Sequence, residues 1–178
     1  VSLVRCPRGR AKQCFFQKHD AGSFGEYVKA VPITEKDGGV EDYLYIENSA
    51  GLLACVQMGT IEFHGWGSRI ETLEQPDRMV LDLDPDEGLD FGDVKKAAKD
   101  IHQTLADLGL ASFAMLSGGK GVHVIVPLEP KAQWPEVKDF ARRFSTALAQ
   151  SQPDRYTATI SKEKRKGKIF IDWLRNQR

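Results

Sequence analysis

Apolar residues along this chain keep two periods, and the switches between them mark out the elements. In RMVLDLDP, Arg78 to Pro85, the pattern alternates: Met79, Leu81 and Leu83 fall on one side of an extended strand, and Val80, Asp82 and Asp84 on the other. Pro85 ends the run, because proline has no N–H to give a ladder. The period then changes. From about Phe91 to Leu108, the residues Val94, Ala97, Ala98, Ile101, Leu105 and Leu108 recur at spacings of three and four, which predicts an amphipathic helix closed by Gly109. SFAMLS and VHVIVP are again extended, and the GGKG between them predicts a hairpin with a glycine-rich turn. A second helix is predicted from about Trp134 to Gln150, with Pro135 in its first turn and Val137, Phe140, Ala141, Phe144 and Leu148 as its stripe. In the closing strand, KIFIDWL, Ile169, Ile171 and Trp173 share one face, and Phe170 and Asp172 the other.

The first third is patterned less sharply. VSLVRCP reads as strand, YLYIE (Tyr43 to Glu47) as a short strand, SAGLLACVQMG as a short helix stopped by Gly59, and Ile61 to His64 as another strand. From Arg78 onward the order is strand, helix, hairpin, helix, strand. That order predicts an α/β (α+β) fold, with helices packed on one face of a sheet and the other face open to a ligand.

Composition changes this picture little. Acidic and basic residues balance at 25 each, so net charge points to no partner, and a nucleic-acid enzyme would need charge segregated locally. One basic run is apparent, SKEKRKGK from Ser161 to Lys168, which taken alone reads as a solvated loop before a strand. Cys6, Cys14 and Cys55 form no CxxC pair, so neither a zinc site nor a disulfide framework is expected, and the three read as reduced thiols filling core. With no membrane-length apolar run in the sequence, a cytoplasmic protein without a signal peptide is the expectation.

Candidate chemistry sits in the strands. Asp82 and Asp84 project from one face roughly 6–7 Å apart. Left unpaired, two such carboxylates repel, and desolvation raises at least one pKa. A hard divalent cation removes the conflict, because Mg²⁺ and Mn²⁺ take oxygen ligands. Asp172 completes a three-carboxylate cluster if the last strand pairs beside the first, the arrangement two-metal phosphoryl transfer uses. In SGGKGVH, which is not a Walker A loop because a strand follows it, Ser117, Lys120 and His123 read as triphosphate contacts. The competing reading is a plain hairpin turn. His64 is either structural or a second phosphate contact. Phe15 and Phe16 are core residues by default, or base-stacking residues if exposed.

Three motifs, DLDP, SGGKGVH and FIDWLRN, occur in that order with CFFQK, EFHGWGS and EQPDRMVLDLDP around them. Together they resemble the polymerase domain of bacterial DNA ligase D, a member of the archaeo-eukaryotic primase superfamily, over nearly the whole chain. The resemblance implies a primase-like, mixed but largely antiparallel sheet with an open catalytic face. It also implies a template-dependent nucleotidyltransferase that fills or extends DNA ends in non-homologous end joining, with a preference for ribonucleotides and Mn²⁺ (or Mg²⁺) as two ions. Carried over by motif, Asp82, Asp84 and Asp172 bind the metals. His64, Ser117 and His123 hold the incoming nucleotide, with Lys120 and Arg175 as weaker transfers, and Phe16, with Phe15, stacks near the template or the nucleotide. Implied partners are gapped or 5′-phosphorylated DNA ends, nucleoside triphosphates, a Ku-like end-binding protein and a ligase domain, in a cytoplasmic, nucleoid-associated setting without membrane. Family segments on both sides fall outside the sequence, so a domain truncated at both ends is expected, with about 1–60 the remainder of an N-terminal lobe and about 61–178 the catalytic core. A metal-dependent phosphoesterase or nuclease, and a DNA-end binding module without chemistry, are the alternative readings.

Overall fold

The computed structural model describes every residue except Asp20, Lys36, Ser117 and Arg178. The chain divides into two compact units, Val1–Trp66 and Gly67–Arg178.

In the first unit, β1 (Ser2–Arg5) is the centre of a three-stranded antiparallel sheet, flanked by β2 (Phe15–Gln17) and, later in the chain, by Thr60–His64. β3 (Lys29–Thr34) and β4 (Val40–Tyr45) form a separate hairpin. The strand expected at Tyr43 to Glu47 therefore begins earlier and stops at Tyr45. α1 (Ser49–Gln57) starts where the Asn48 side chain accepts the Gly51 N–H at 3.1 Å. β5 is the Thr60–His64 strand. Leu3, Phe24, Val28, Leu44 and Cys55 form the core of this unit. Cys55 is a buried free thiol, and burial pushes its pKa up. Cys6 and Cys14, expected as reduced thiols, are instead joined by a disulfide. The β1–β2 hairpin is the reason: it brings together two residues whose spacing resembles no familiar pair motif.

The second unit is one sheet under two helices. β6 (Arg78–Pro85) lies at its centre, and α2 (Phe91–Asp107), β7 (Phe113–Leu116), β8 (Val122–Pro127), α3 (Trp134–Ser151), β9 (Tyr156–Thr157) and β10 (Ile169–Asp172) follow. The strand order is β7-β8-β6-β10-β9, antiparallel except for the β9–β10 pair. α2 opens with a reciprocal cap, Asp90 accepting the Asp93 N–H at 3.0 Å and Asp93 accepting that of Asp90 at 3.2 Å. Met79, Leu81 and Leu83 of β6, Val122, Val124 and Val126 of β8, and Ile169 and Ile171 of β10 pack against Val94, Ala97, Ile101 and Leu105 of α2 and Val137, Ala141, Phe144 and Leu148 of α3. Both helices thus cover the face made by alternate strand residues, as the two periods required. Two stripe residues depart from this. Leu108 is 58% exposed, because the chain turns at Gly109 and Leu110 packs against the core in its place. Phe140 lies at the edge of the α3 stripe, partly exposed and stacked on Phe144. Among the described residues no helix is long and apolar enough to cross a membrane.

β10 pairs with β6 only from Pro85 to Asp82, and an asparagine continues the work. Asn176, 1% exposed, accepts the Val80 N–H at 2.7 Å and donates to the Val80 carbonyl at 2.8 Å, as a further strand residue would. Its amide also donates to the Trp173 carbonyl, which closes the turn after β10. Asn176→Ala leaves both Val80 groups, which are partly buried, without this partner, at about 1–3 kcal/mol each. A loss of roughly 2–6 kcal/mol is expected, read as a lowered midpoint in thermal or urea unfolding.

Candidate functional site

Asp82 occupies the middle of β6, and both neighbouring strands bring chemistry beside it. It is in register with His123 of β8 on one side and Asp172 of β10 on the other. Residues directly opposite in an antiparallel pair project from the same face with Cβ atoms about 4.5–5.5 Å apart. Asp84 follows on that face, in register with Phe170. The expected trio is therefore brought together on the sheet face away from the helices.

Asp82 is 3% exposed, and its charge is answered by protein groups. Its Oδ2 accepts from Arg175 Nε at 2.5 Å and lies 3.2 Å from His123 Nε2. The Asp172 Oδ1 accepts the Leu174 N–H at 2.8 Å, which shapes the turn that delivers Arg175. Asp84, with its residue still exposed on one side, has its pKa raised, first by desolvation and then by the charges of Asp82 and Asp172. The guanidiniums of Arg175 and Arg165 pull the other way. Arg165 comes from the basic run, in a short 3-10 helix (Lys162–Arg165), and lies 3.7 Å over the Phe170 ring. That segment is also tied to the end of β6, where the Asp86 carboxylate accepts the Gly167 N–H at 2.7 Å.

The glycine-rich turn has a second reason for its composition. A Cβ on Gly121 would stand 2.5 Å from the Leu83 carbonyl oxygen, so only glycine lets β8 enter the sheet beside the acids. Lys120 is exposed on this turn with no ion-pair partner among the described residues. Ser117 lies outside the described residues. His64, Phe15 and Phe16 belong to the first unit. There Phe16 is 74% exposed and meets the His64 ring edge-on at 5.8 Å, while His64 Nε2 lies 3.1 Å from Glu62 Oε2. The pair of phenylalanines takes the exposed alternative rather than the core one.

The residues fit a hard divalent cation in donor type and in backbone register, and the mutual repulsion that raises the Asp84 pKa is what such an ion relieves. Among the described residues no group of three His, Cys, Asp or Glu is arranged to hold a metal ion, and Arg175 and His123 share the Asp82 oxygen. A hollow of about 570 Å³, lined by Gln150, Thr157, Lys164, Lys166 and Lys168 among others, lies elsewhere and includes none of the site acids.

Sequence reasoning misses Arg165 and Asn176 as site builders. Arg165 has a signal, a cationic run shortly before the acid-bearing strand. Asn176 has none in the periodicity.

Because the folded-state pKa of Asp84 lies above its ordinary value, the folded chain takes up this proton before the unfolded one does as pH falls. Ionised Asp84 therefore costs stability at neutral pH, and the cost disappears as pH falls below the ordinary Asp pKa of about 4. With chelator present, Asp84→Asn is expected to raise Tm at pH 7. The gain should shrink toward zero as the unfolding series approaches pH 4.

Comparison with known proteins places the chain among relatives. The chain matches the family described as LigD, primase-polymerase domain, over residues 1–178. It is 45% identical over 179 aligned residues to the multifunctional non-homologous end joining protein LigD of Pseudomonas aeruginosa, covering all of this chain and 21% of that protein. It is 34% identical to the LigD protein of Mycolicibacterium smegmatis, covering 99% of this chain and 23% of that one. The chain thus spans about a fifth of the length of these curated relatives. The solved polymerase domain of Mycobacterium tuberculosis ligase D in complex with DNA superposes with a TM-score of 0.88 at 30% identity, covering 98% of this chain and 63% of that one. With its fold shared and the match running from end to end, the chain belongs to the LigD primase-polymerase domain family.

Proposed function

We propose that this chain is a template-dependent nucleotidyltransferase that fills or extends gapped and 5′-phosphorylated DNA ends in non-homologous end joining. It would draw on nucleoside triphosphates, ribonucleotides in preference, and work alongside a ligase module and a Ku-like end-binding protein. The observation that carries this reading is the register that sets Asp172 across from Asp82, with Asp84 next on the same face and His123 on the other flank. The DNA in the M. tuberculosis polymerase-domain complex and the end-joining role in the relatives' names support it.

Asp82, Asp84 and Asp172 would hold two Mn²⁺ or Mg²⁺ ions, which when bound favour attack by the primer 3′-hydroxyl and neutralise the departing pyrophosphate. Arg175 holds the Asp82 carboxylate in place until substrate arrives. Its side chain is half exposed, so it can swing from Asp82 to a phosphate oxygen, a partner guanidinium groups bind well. His123, Lys120 and Ser117 contact the triphosphate, with His123 oriented by Asp82. In the first unit, Phe16 and Phe15 offer rings to template bases.

A second reading, a DNA-end binding module without chemistry, is favoured by one observation: Asp82 is already neutralised by Arg175. Incorporation of labelled ribonucleotide on a gapped, 5′-phosphorylated duplex separates the two. An Asp82→Ala, Asp84→Ala double variant is expected to bind this DNA like the parent while Mn²⁺-dependent incorporation falls to background. Undiminished incorporation would end the metal reading, and absence of incorporation by the parent would favour the binding module. His123→Ala is expected to lower kcat/KM for the nucleoside triphosphate roughly 10²-fold, in the range for removing one group that stabilises transition-state charge.

A further inference from the structure

The stretch from Val1 to His19 contains Arg5, Arg8, Arg10, Lys12 and Lys18 and no acid. Three of these bases, Arg8, Arg10 and Lys12, sit together on the loop Pro7 to Gln13, and the Cys6–Cys14 disulfide closes that loop. Within it, the Gly9 N–H donates to the Cys6 carbonyl at 2.9 Å and the Lys12 N–H to the Gly9 carbonyl at 3.0 Å, giving two successive turns. Gly9 has φ +87°, which suits glycine between them. The base of the loop is anchored on the turn before β5, where the Cys6 N–H donates to the Gly59 carbonyl at 2.7 Å. Every residue from Pro7 to Phe16 is exposed, and Arg8, Arg10 and Lys12 have no ion-pair partner among the described residues.

Aromatic rings follow at once. Phe15 lies 5.5 Å from the Arg5 guanidinium, which is itself held by the Met58 carbonyl and the Gln17 side chain. Phe16 stands on the opposite face of the strand beside His64. Cations that follow a phosphate backbone, next to rings that stack on bases, are the composition of a surface for single-stranded nucleic acid. An anionic lipid surface or an acidic peptide would use the charges and leave the paired rings without a role.

We propose that the disulfide-closed loop Pro7–Gln13 grips the phosphates of a single-stranded DNA tract, through Arg8, Arg10 and Lys12, while the bases of that tract meet Phe16. The closed loop holds its cations in place before DNA arrives, which lowers the ordering cost of binding. The inference rests on the reading above for the DNA substrate, and it does not depend on nucleotide transfer.

The test is fluorescence anisotropy of the 178-residue chain with a gapped duplex carrying a single-stranded template tract, between roughly 50 and 200 mM salt. An Arg8→Gln, Arg10→Gln, Lys12→Gln variant is expected to bind roughly 10- to 100-fold more weakly at about 0.1 M salt. Its salt slope should be shallower by about 2, at ~0.7 for each phosphate the variant no longer neutralises. Incorporation at saturating DNA should match the parent, and an Arg8→Lys, Arg10→Lys variant should keep the parental slope. An unchanged slope in the glutamine variant overturns the loop's role and leaves the polymerase reading intact. A shallower slope in a chain that incorporates nothing upholds the loop and ends the polymerase reading. Unchanged DNA binding, with loss of binding only to vesicles of anionic lipid, overturns the proposal in favour of a membrane surface.

Discussion

A carboxylate withdrawn from water in the central strand of a sheet demands a positive or hydrogen-bonding answer, and much of the second unit is arranged around giving Asp82 one. The answer comes from two directions. β8 supplies His123 through its register, and the turn after β10 supplies Arg175. That turn in turn depends on Asn176, whose amide stands in for a strand residue opposite Val80, and on Asp172, whose side chain accepts from Leu174. One ion pair thus joins β6, β8 and β10 at the point where their polar side chains meet. Arg175 is half exposed, so solvent screens its side of the pair and the bond can be surrendered more cheaply than a fully buried one.

This gives the proposed chemistry its physical terms. Asp82 does not wait as a bare charge. Under the proposed function it exchanges one positive partner for another, and the released guanidinium goes to the phosphates that arrive at the same moment. Asp84 carries the remaining tension: its ionised form is disfavoured by desolvation and by its two acidic neighbours, and Arg165 offsets part of that from the basic segment. A run that reads as a solvated loop therefore contributes to the electrostatics of the acids.

Much of this is legible in the chain. The alternation through Arg78 to Pro85 announces which side of β6 is core and which carries acids, and the stripes of α2 and α3 announce the layer above it. Those signals are strong because burial on one face imposes them residue by residue. The misses share a different origin. Leu108 belongs to the periodic stripe but falls where the helix has ended, so Leu110 takes its place. Cys6 and Cys14 are brought together by a hairpin whose second strand is only three residues long, too short to leave a pattern. Asn176 acts through its amide alone, and hydrogen-bonding side chains that imitate backbone obey no period. The motif names Arg175 but carries no direction, so its contact with Asp82 is not legible in the sequence. Phe15 and Phe16 stay open in the sequence because no rule of spacing says whether a ring on a short strand will be covered.

β6 packs its two duties into a single alternation, with a helix-facing leucine between the two carboxylates, and this makes the segment unusually intolerant of a change in length. Insertion or deletion of one codon between Met79 and Asp84 would rotate every residue beyond it through half a turn. Leu83 would move toward water and a carboxylate would be driven under the helices. A substitution here can damage the core or the acids separately, but a frame-preserving indel strikes both. Natural variation in segment length should therefore collect in the connections before and after β6 and spare the strand itself.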